Sequence, residues 1–156
     1  MTERIQKPTR MNDQHQTPGK EPPFQAALVI EPEMLARLAL RQQLLQTGIP
    51  VVHEAEDGDD GMAWLAGRGV EVVFSGWEPG GVTCLEMLKT LRGPGKTPSI
   101  PVVLLDWGLS QVTIVAAVKA GISGRILMPS TPAKVQQALL EVQDAQATAR
   151  EISANH

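Results

Sequence analysis

Five short apolar runs, each followed by a helical pattern, constrain this chain more than any other feature. Ala26-Ala27-Leu28-Val29-Ile30 is continuously apolar, as a strand buried on both faces of a parallel sheet must be. Val51-Val52-His53, Val70 to Ser75, Ile100 to Leu105 and Arg125 to Met128 repeat the signal. Between them lie helical periodicities. The first runs from about Pro32 to Gln46, with Leu35, Leu38 and Leu45 on one stripe and Gly48 closing it. The second, about Asp59 to Ala66, buries Met62 and Leu65, and the third, Val82 to Leu91, buries Leu85 and Leu88. The fourth spans Ser110 to Ala120, with Ser110 or Asp106 as its cap. Ser130-Thr131-Pro132 starts the fifth, a hydroxyl cap before proline, with Val135, Leu139 and Val142 facing inward. Strands alternating with helices demand parallel pairing through right-handed crossovers. The expected fold class is therefore α/β: a doubly wound, flavodoxin-like, five-stranded parallel sheet in the order 2-1-3-4-5 with five helices.

At 156 residues the chain supports one domain with a proper core and is too short for two comfortable ones. Residues 1–24 are polar, carry Pro8, Pro18, Pro22 and Pro23, and lack apolar periodicity, so they read as a disordered tail. The domain is expected over 25–143, with 144–156 extending the last helix or forming a tail. A formal charge of −3, few aromatic residues and no Tyr argue against nucleic-acid binding. The single cysteine, Cys84, excludes an internal disulfide and fits a reducing cytoplasm. No run approaches a membrane span and no signal-peptide core follows the amino terminus, so a cytoplasmic protein is expected.

In parallel α/β sheets, ligands and chemistry gather where strands end at their carboxyl side. Val72-Val73-Phe74-Ser75 ends at Gly76, and Trp77-Glu78-Pro79-Gly80-Gly81 opens a loop. The glycine pair belongs to no phosphate-binding motif. Neither His53 nor His15 has partners at metal-ligand spacing, and Cys84 has no nearby His to activate it. His53, Ser75 and Cys84 all read as structural.

Several segments in order resemble the receiver domain of bacterial response regulators, of the chemotaxis-regulator type, over about Ala26 to Val142. They are His53-Glu54-Ala55-Glu56-Asp57-Gly58, Val73-Phe74-Ser75-Gly76-Trp77, Leu85 through Arg92, Pro101 through Leu105, Ala120 through Gly124, and Met128-Pro129. The resemblance implies a phosphorylation pocket whose residues are largely replaced. Where the family holds Mg²⁺ with two acidic residues after the first strand, this chain has Glu31 and Pro32, and proline offers no side-chain oxygen to a hard cation. The phospho-accepting Asp position is Gly76, and a hydrogen cannot attack phosphorus. The hydroxyl switch position is Asp106, the Lys before proline is Met128, and the aromatic switch position is Arg125. Met128 is consistent with Gly76, because a buried Lys without its carboxylate is an unpaired charge. The implied protein is a degenerate pseudo-receiver active in two-component signal transduction, without enzymatic chemistry, cofactor or metal.

Glu31, Glu33 and Asp106 admit two readings. One is a cation cluster. The other, preferred, leaves Glu31 and Glu33 solvated near a helix amino terminus, which favours negative charge, and has Asp106 cap the fourth helix. The resemblance also points to the face of the fourth helix, fifth strand and fifth helix as a surface for a protein partner or self-association. That face carries Val112, Val115, Lys119 and Arg125, with Trp107 at its approach. Trp107 is either a lid over the vacated pocket or an exposed anchor, Trp being over-represented at binding hot spots. The alternative function is small-molecule sensing in that pocket.

Overall fold

A computed structural model describes residues 24–67, 69–95 and 99–154. Residues 1–23 of the expected amino-terminal tail lie outside them, while Phe24 is buried against the core. Five strands, β1 (Ala26–Ile30), β2 (Val51–Ala55), β3 (Val72–Gly76), β4 (Val102–Asp106) and β5 (Gly124–Leu127), form one parallel sheet in the order β2-β1-β3-β4-β5. Five helices alternate with them: α1 (Met34–Gln46), α2 (Gly58–Leu65), α3 (Cys84–Leu91), α4 (Gln111–Ala120) and α5 (Pro132–Ala154). This is the doubly wound, flavodoxin-like topology that the alternation of patterns predicts.

Successive strand residues point to opposite faces, so the sheet divides the core in two. Ala27, Val29, Val72, Phe74, Val103 and Leu105 pack with Leu40 and Leu44 of α1 and Val135, Leu139 and Val142 of α5. Leu28, Ile30, Val73, Val102 and Leu104 pack on the other side with Met87 and Leu88 of α3 and Ala117 of α4. The three central strands are buried at nearly every position.

Several boundaries differ from expectation for local chemical reasons. Pro32 precedes α1 and is not in its first turn; Glu33 is the cap, its carboxylate accepting the Ala36 N–H at 2.9 Å. Strand β2 continues past His53 to Ala55, and His53 stacks on Trp64 with ring centroids 4.1 Å apart. Helix α3 starts two residues later than expected because Thr83 and Glu86 form a capping box, Thr83 N–H donating to the Glu86 carboxylate at 2.9 Å. That backbone hydrogen bond also holds the Glu86 carboxyl below its ordinary range.

The inner stripe of α1 is a second correction. Leu35 and Leu38 are exposed, at 69% and 43%, and Leu45 is only half-buried. Arg37, Leu40 and Leu44 face the core instead. A buried arginine displaces the expected register because its guanidinium is satisfied there: Nη1 donates to the Glu31 carbonyl at 2.8 Å and Nε to Glu54 at 3.1 Å.

Candidate functional site

The carboxyl ends of β1, β3 and β4 lie side by side, since β3 pairs with both neighbours. Ile30 is opposite Ser75, and Gly76 is opposite Leu105. Glu31, Gly76 and Asp106 therefore leave the sheet along one edge.

Glu31 is buried, with 4% of its surface exposed, which overturns the solvated reading. Four hydrogen bonds hold it. Its backbone N–H donates to Ala55 at 3.1 Å, and its carbonyl accepts from Arg37. One carboxylate oxygen accepts the Glu33 N–H at 2.8 Å and the other accepts the Trp107 indole N–H at 3.0 Å. A buried carboxylate persists only with such partners. Glu33 stays exposed as the α1 cap.

Asp106 is also 4% exposed, and it does not cap α4. Ser110 does, its hydroxyl accepting the Thr113 N–H at 3.2 Å. Asp106 instead turns its Oδ1 onto the N–H groups of Gly108 and Leu109, at 2.8 and 2.6 Å, and so wraps the loop that leaves β4. Its Oδ2 faces Arg125 Nε on β5 at 3.7 Å.

Gly76 is buried at the end of β3. A Cβ built there meets no heavy atom within 4 Å, so neither crowding nor backbone conformation demands glycine. Ser75 beneath it is 1% exposed and donates its hydroxyl to the Gly76 carbonyl at 2.8 Å. Met128 is partly buried against the core on the α5 side of the sheet.

The donor set does not suit a divalent cation. Both oxygens of Glu31 accept N–H groups, Pro32 and Gly76 bring no side-chain oxygen, and one Asp106 oxygen serves its own loop. Among the described residues no group of three or more His, Cys, Asp or Glu side chains is placed to hold a metal. No helix among them is long and apolar enough to cross a membrane.

The remaining predicted positions lie on α4, on β5 and in the loop before α4. Val112 and Val115 are exposed on α4, at 80% and 42%; Val118, a position the sequence did not single out, is also exposed there, at 61%. Lys119 is exposed near the α4 carboxyl end, and Arg125 and Leu127 are exposed on β5. A shallow groove of about 500 Å³ runs between β5 and α5, lined by Arg125, Leu127, Lys134 and Gln137 among others. Lys134 closes the β5–α5 junction by donating to the carbonyls of Leu127 and Pro129 at 3.0 and 3.2 Å. Trp107 is 52% exposed, so it is at once anchored by Glu31 and open to solvent.

Sequence patterns pass over Arg37, which links α1 to the β1 and β2 ends at this edge; they also pass over Arg92, which lies away from the site and ties the end of α3 to the Ile100 and Gly121 carbonyls. The only signal for Arg37 is its spacing from Leu40 and Leu44, which puts it on the buried stripe.

Cys84, 1% exposed at the start of α3, has its thiol pushed up from an ordinary 9.0 to about 12 by burial, against weaker opposing effects of Ser75 and Arg92. The native chain is expected to resist iodoacetamide at pH 8, because the thiolate is the nucleophile, with labelling tracking unfolding in urea. The pH dependence has a definite sign. Between pH 9 and about 12 the unfolded chain loses a proton the native chain keeps, so this group's contribution to stability declines as pH rises through that window. Cys84→Ala should flatten the decline; an unchanged alkaline profile would contradict the assignment.

Comparison with known proteins agrees with this fold. Residues 27–140 match the response regulator receiver domain. A Campylobacter jejuni (strain 81-176) protein named chemotaxis protein CheY homolog is 26% identical over 116 residues, covering 74% of this chain and 89% of that one. The structure of the chemotaxis response regulator CheY4 of Vibrio cholerae superposes with a TM-score of 0.67 at 20% identity, over 76% of this chain and 98% of the other. The signal receiver domain of a histidine kinase from Syntrophus aciditrophicus gives 0.66 at 17% identity, over 77% and 90%. At such identities the two structures speak for the fold alone.

Proposed function

Because the chain belongs to the response regulator receiver domain family, we propose that it is a phosphorylation-independent member, a pseudo-receiver that signals by binding a protein. The surface is the face of α4, β5 and α5, and the partner is another protein or a second copy of this chain. The observation that carries the reading is the edge of the sheet. Gly76 supplies no nucleophile where β3 ends, Met128 no cation, and Glu31 is committed to two N–H donors. The exposed valines of α4, rimmed by Lys119 and Arg125, support the choice of face. This is the work of a signalling protein and not of an enzyme.

Beryllofluoride with Mg²⁺, an acyl-phosphate mimic, is expected to leave the amide spectrum of the full chain unchanged. Saturable shifts around Gly76 and Asp106 would overturn phosphorylation independence. In parallel, Val112→Asp with Lys119→Glu should abolish self-association or partner capture while leaving the melting temperature within a few degrees, since both side chains are exposed.

The open space beside Gly76 favours one second reading, a small planar or apolar ligand held beneath Trp107. A thermal-shift screen with nucleotides, flavins and cyclic dinucleotides separates the two, because a ligand of the native state raises its apparent stability.

A further inference from the structure

Trp107 belongs to the loop between β4 and α4, yet its indole N–H is spent on a carboxylate from β1. Strands β1 and β4 are not neighbours; β3 lies between them. The bond therefore crosses the end of β3, over Gly76, where a built Cβ meets nothing within 4 Å. Its two ends are unequal in freedom. Glu31 is fixed on three other sides by Glu33, Ala55 and Arg37, and Arg37 is itself paired with Glu54 at 3.1 Å. Trp107 is half exposed on a loop whose turn is set by Asp106, and Asp106 also faces Arg125 on the partner face. An immobile acceptor and a solvent-accessible donor on a short loop make a contact that opens without unfolding the core.

Resting on the function proposed above, we propose that the Trp107–Glu31 hydrogen bond is a clasp that sets the conformation of the β4–α4 loop and of the first turn of α4. It couples the edge of the sheet to the α4–β5–α5 face without a phosphoryl group. The clasped and unclasped loops are the two states that a partner on that face selects between. Arg125 is the link on the partner side: whatever draws its guanidinium away from Asp106 loosens the turn that presents Trp107.

The test is an NMR comparison of the full chain with Trp107→Phe, Glu31→Gln and Glu31→Ala. Trp107→Phe identifies the indole N–H resonance by its loss and keeps the ring's apolar bulk. In the native chain that resonance should be shifted downfield and protected from exchange. Glu31→Ala should return it to the position of a free indole, and Glu31→Gln, with one acceptor oxygen for two N–H donors, should lose either this shift or the protection of the Glu33 amide. Amides of Gly108 through Val115 should exchange about tenfold faster in Trp107→Phe, as befits loss of a charge-assisted hydrogen bond. An indole resonance indifferent to Glu31→Ala, or loop protection unchanged in Trp107→Phe, would overturn the clasp. Should Glu31→Ala fail to fold, the loop protection measured in Trp107→Phe still decides the question. A beryllofluoride response would instead strike at phosphorylation independence and leave the indole result standing.

Discussion

Arg92→Ala is expected to destabilise the domain by roughly 3 kcal/mol and to lower its melting temperature by about 10 °C or more. The side chain leaves the end of α3 and gathers two separate segments. Nε and Nη2 donate to the Gly121 carbonyl at 3.1 and 2.9 Å, and Nη1 donates to the Ile100 carbonyl and the Ser99 hydroxyl, both at 2.7 Å. Gly121 closes α4 in the left-handed region with φ of 104°, and its site for a Cβ is 3.1 Å from Arg92 Nε. The turn that feeds β5 is thus shaped around the guanidinium. Burial disfavours the charged form and pulls its pKa down, but an arginine stays protonated, so truncation leaves carbonyls unpaired where water does not fully replace the donors. Arg92→Lys should recover only a minor part, because one ammonium cannot reproduce the guanidinium's four hydrogen bonds to acceptors on two segments. Urea unfolding of the three chains measures this directly. A loss under 1 kcal/mol for Arg92→Ala would mean that solvent already satisfies these carbonyls. The expected consequence for function is indirect: β5 carries Arg125 and Leu127, so loosening Gly121 should blur the partner face before the sheet itself melts.

The strands were legible because a parallel sheet covered on both sides leaves an unmistakable run such as Ala26 to Ile30. Helix α5 was legible for a related reason: Val135, Leu139 and Val142 recur at helical spacing and are all buried. The inner face of helix α1 is not legible in this way, because periodicity counts apolar residues, and Leu35 and Leu38 fit a stripe as well as Leu40 and Leu44 do. The deciding residue was Arg37, whose buried guanidinium needs Glu54 and two backbone carbonyls brought from elsewhere in the chain. Glu31 and Asp106 were misjudged for the same physical reason. Whether a carboxylate is solvated or buried depends on the N–H groups that reach it, and Trp107 lies far along the sequence from Glu31. Residue identities at the sheet edge could be read directly; their hydrogen-bond partners needed the fold.

Gly76→Asp is expected to turn a metal-indifferent chain into one whose stability depends on Mg²⁺. The new side chain has room, since no heavy atom lies within 4 Å of a Cβ there, and Gly76 has no positive φ that would strain it. Removing a strand glycine is itself favourable by up to about 1 kcal/mol. Against this stands a second carboxylate placed one strand away from Glu31, which is 4% exposed. Adjacent strands are about 5 Å apart, and like charges at that distance repel by about 3 kcal/mol at an effective dielectric constant near 20. Repulsion wins, so without metal the variant should be about 2 kcal/mol less stable than the parent. Millimolar Mg²⁺ should restore most of that loss by neutralising the pair, while leaving the parent untouched. Acetyl phosphate should still do nothing to this variant, because Met128 supplies no cation for the acyl phosphate. Gly76→Asp combined with Met128→Lys should accept a phosphoryl group, seen as an added mass lost in hydroxylamine. If the double variant binds Mg²⁺ yet is never phosphorylated, the block lies beyond these two side chains. The first suspects are then Asp106, which stands where the family has a hydroxyl, and the Trp107 clasp above the new carboxylate.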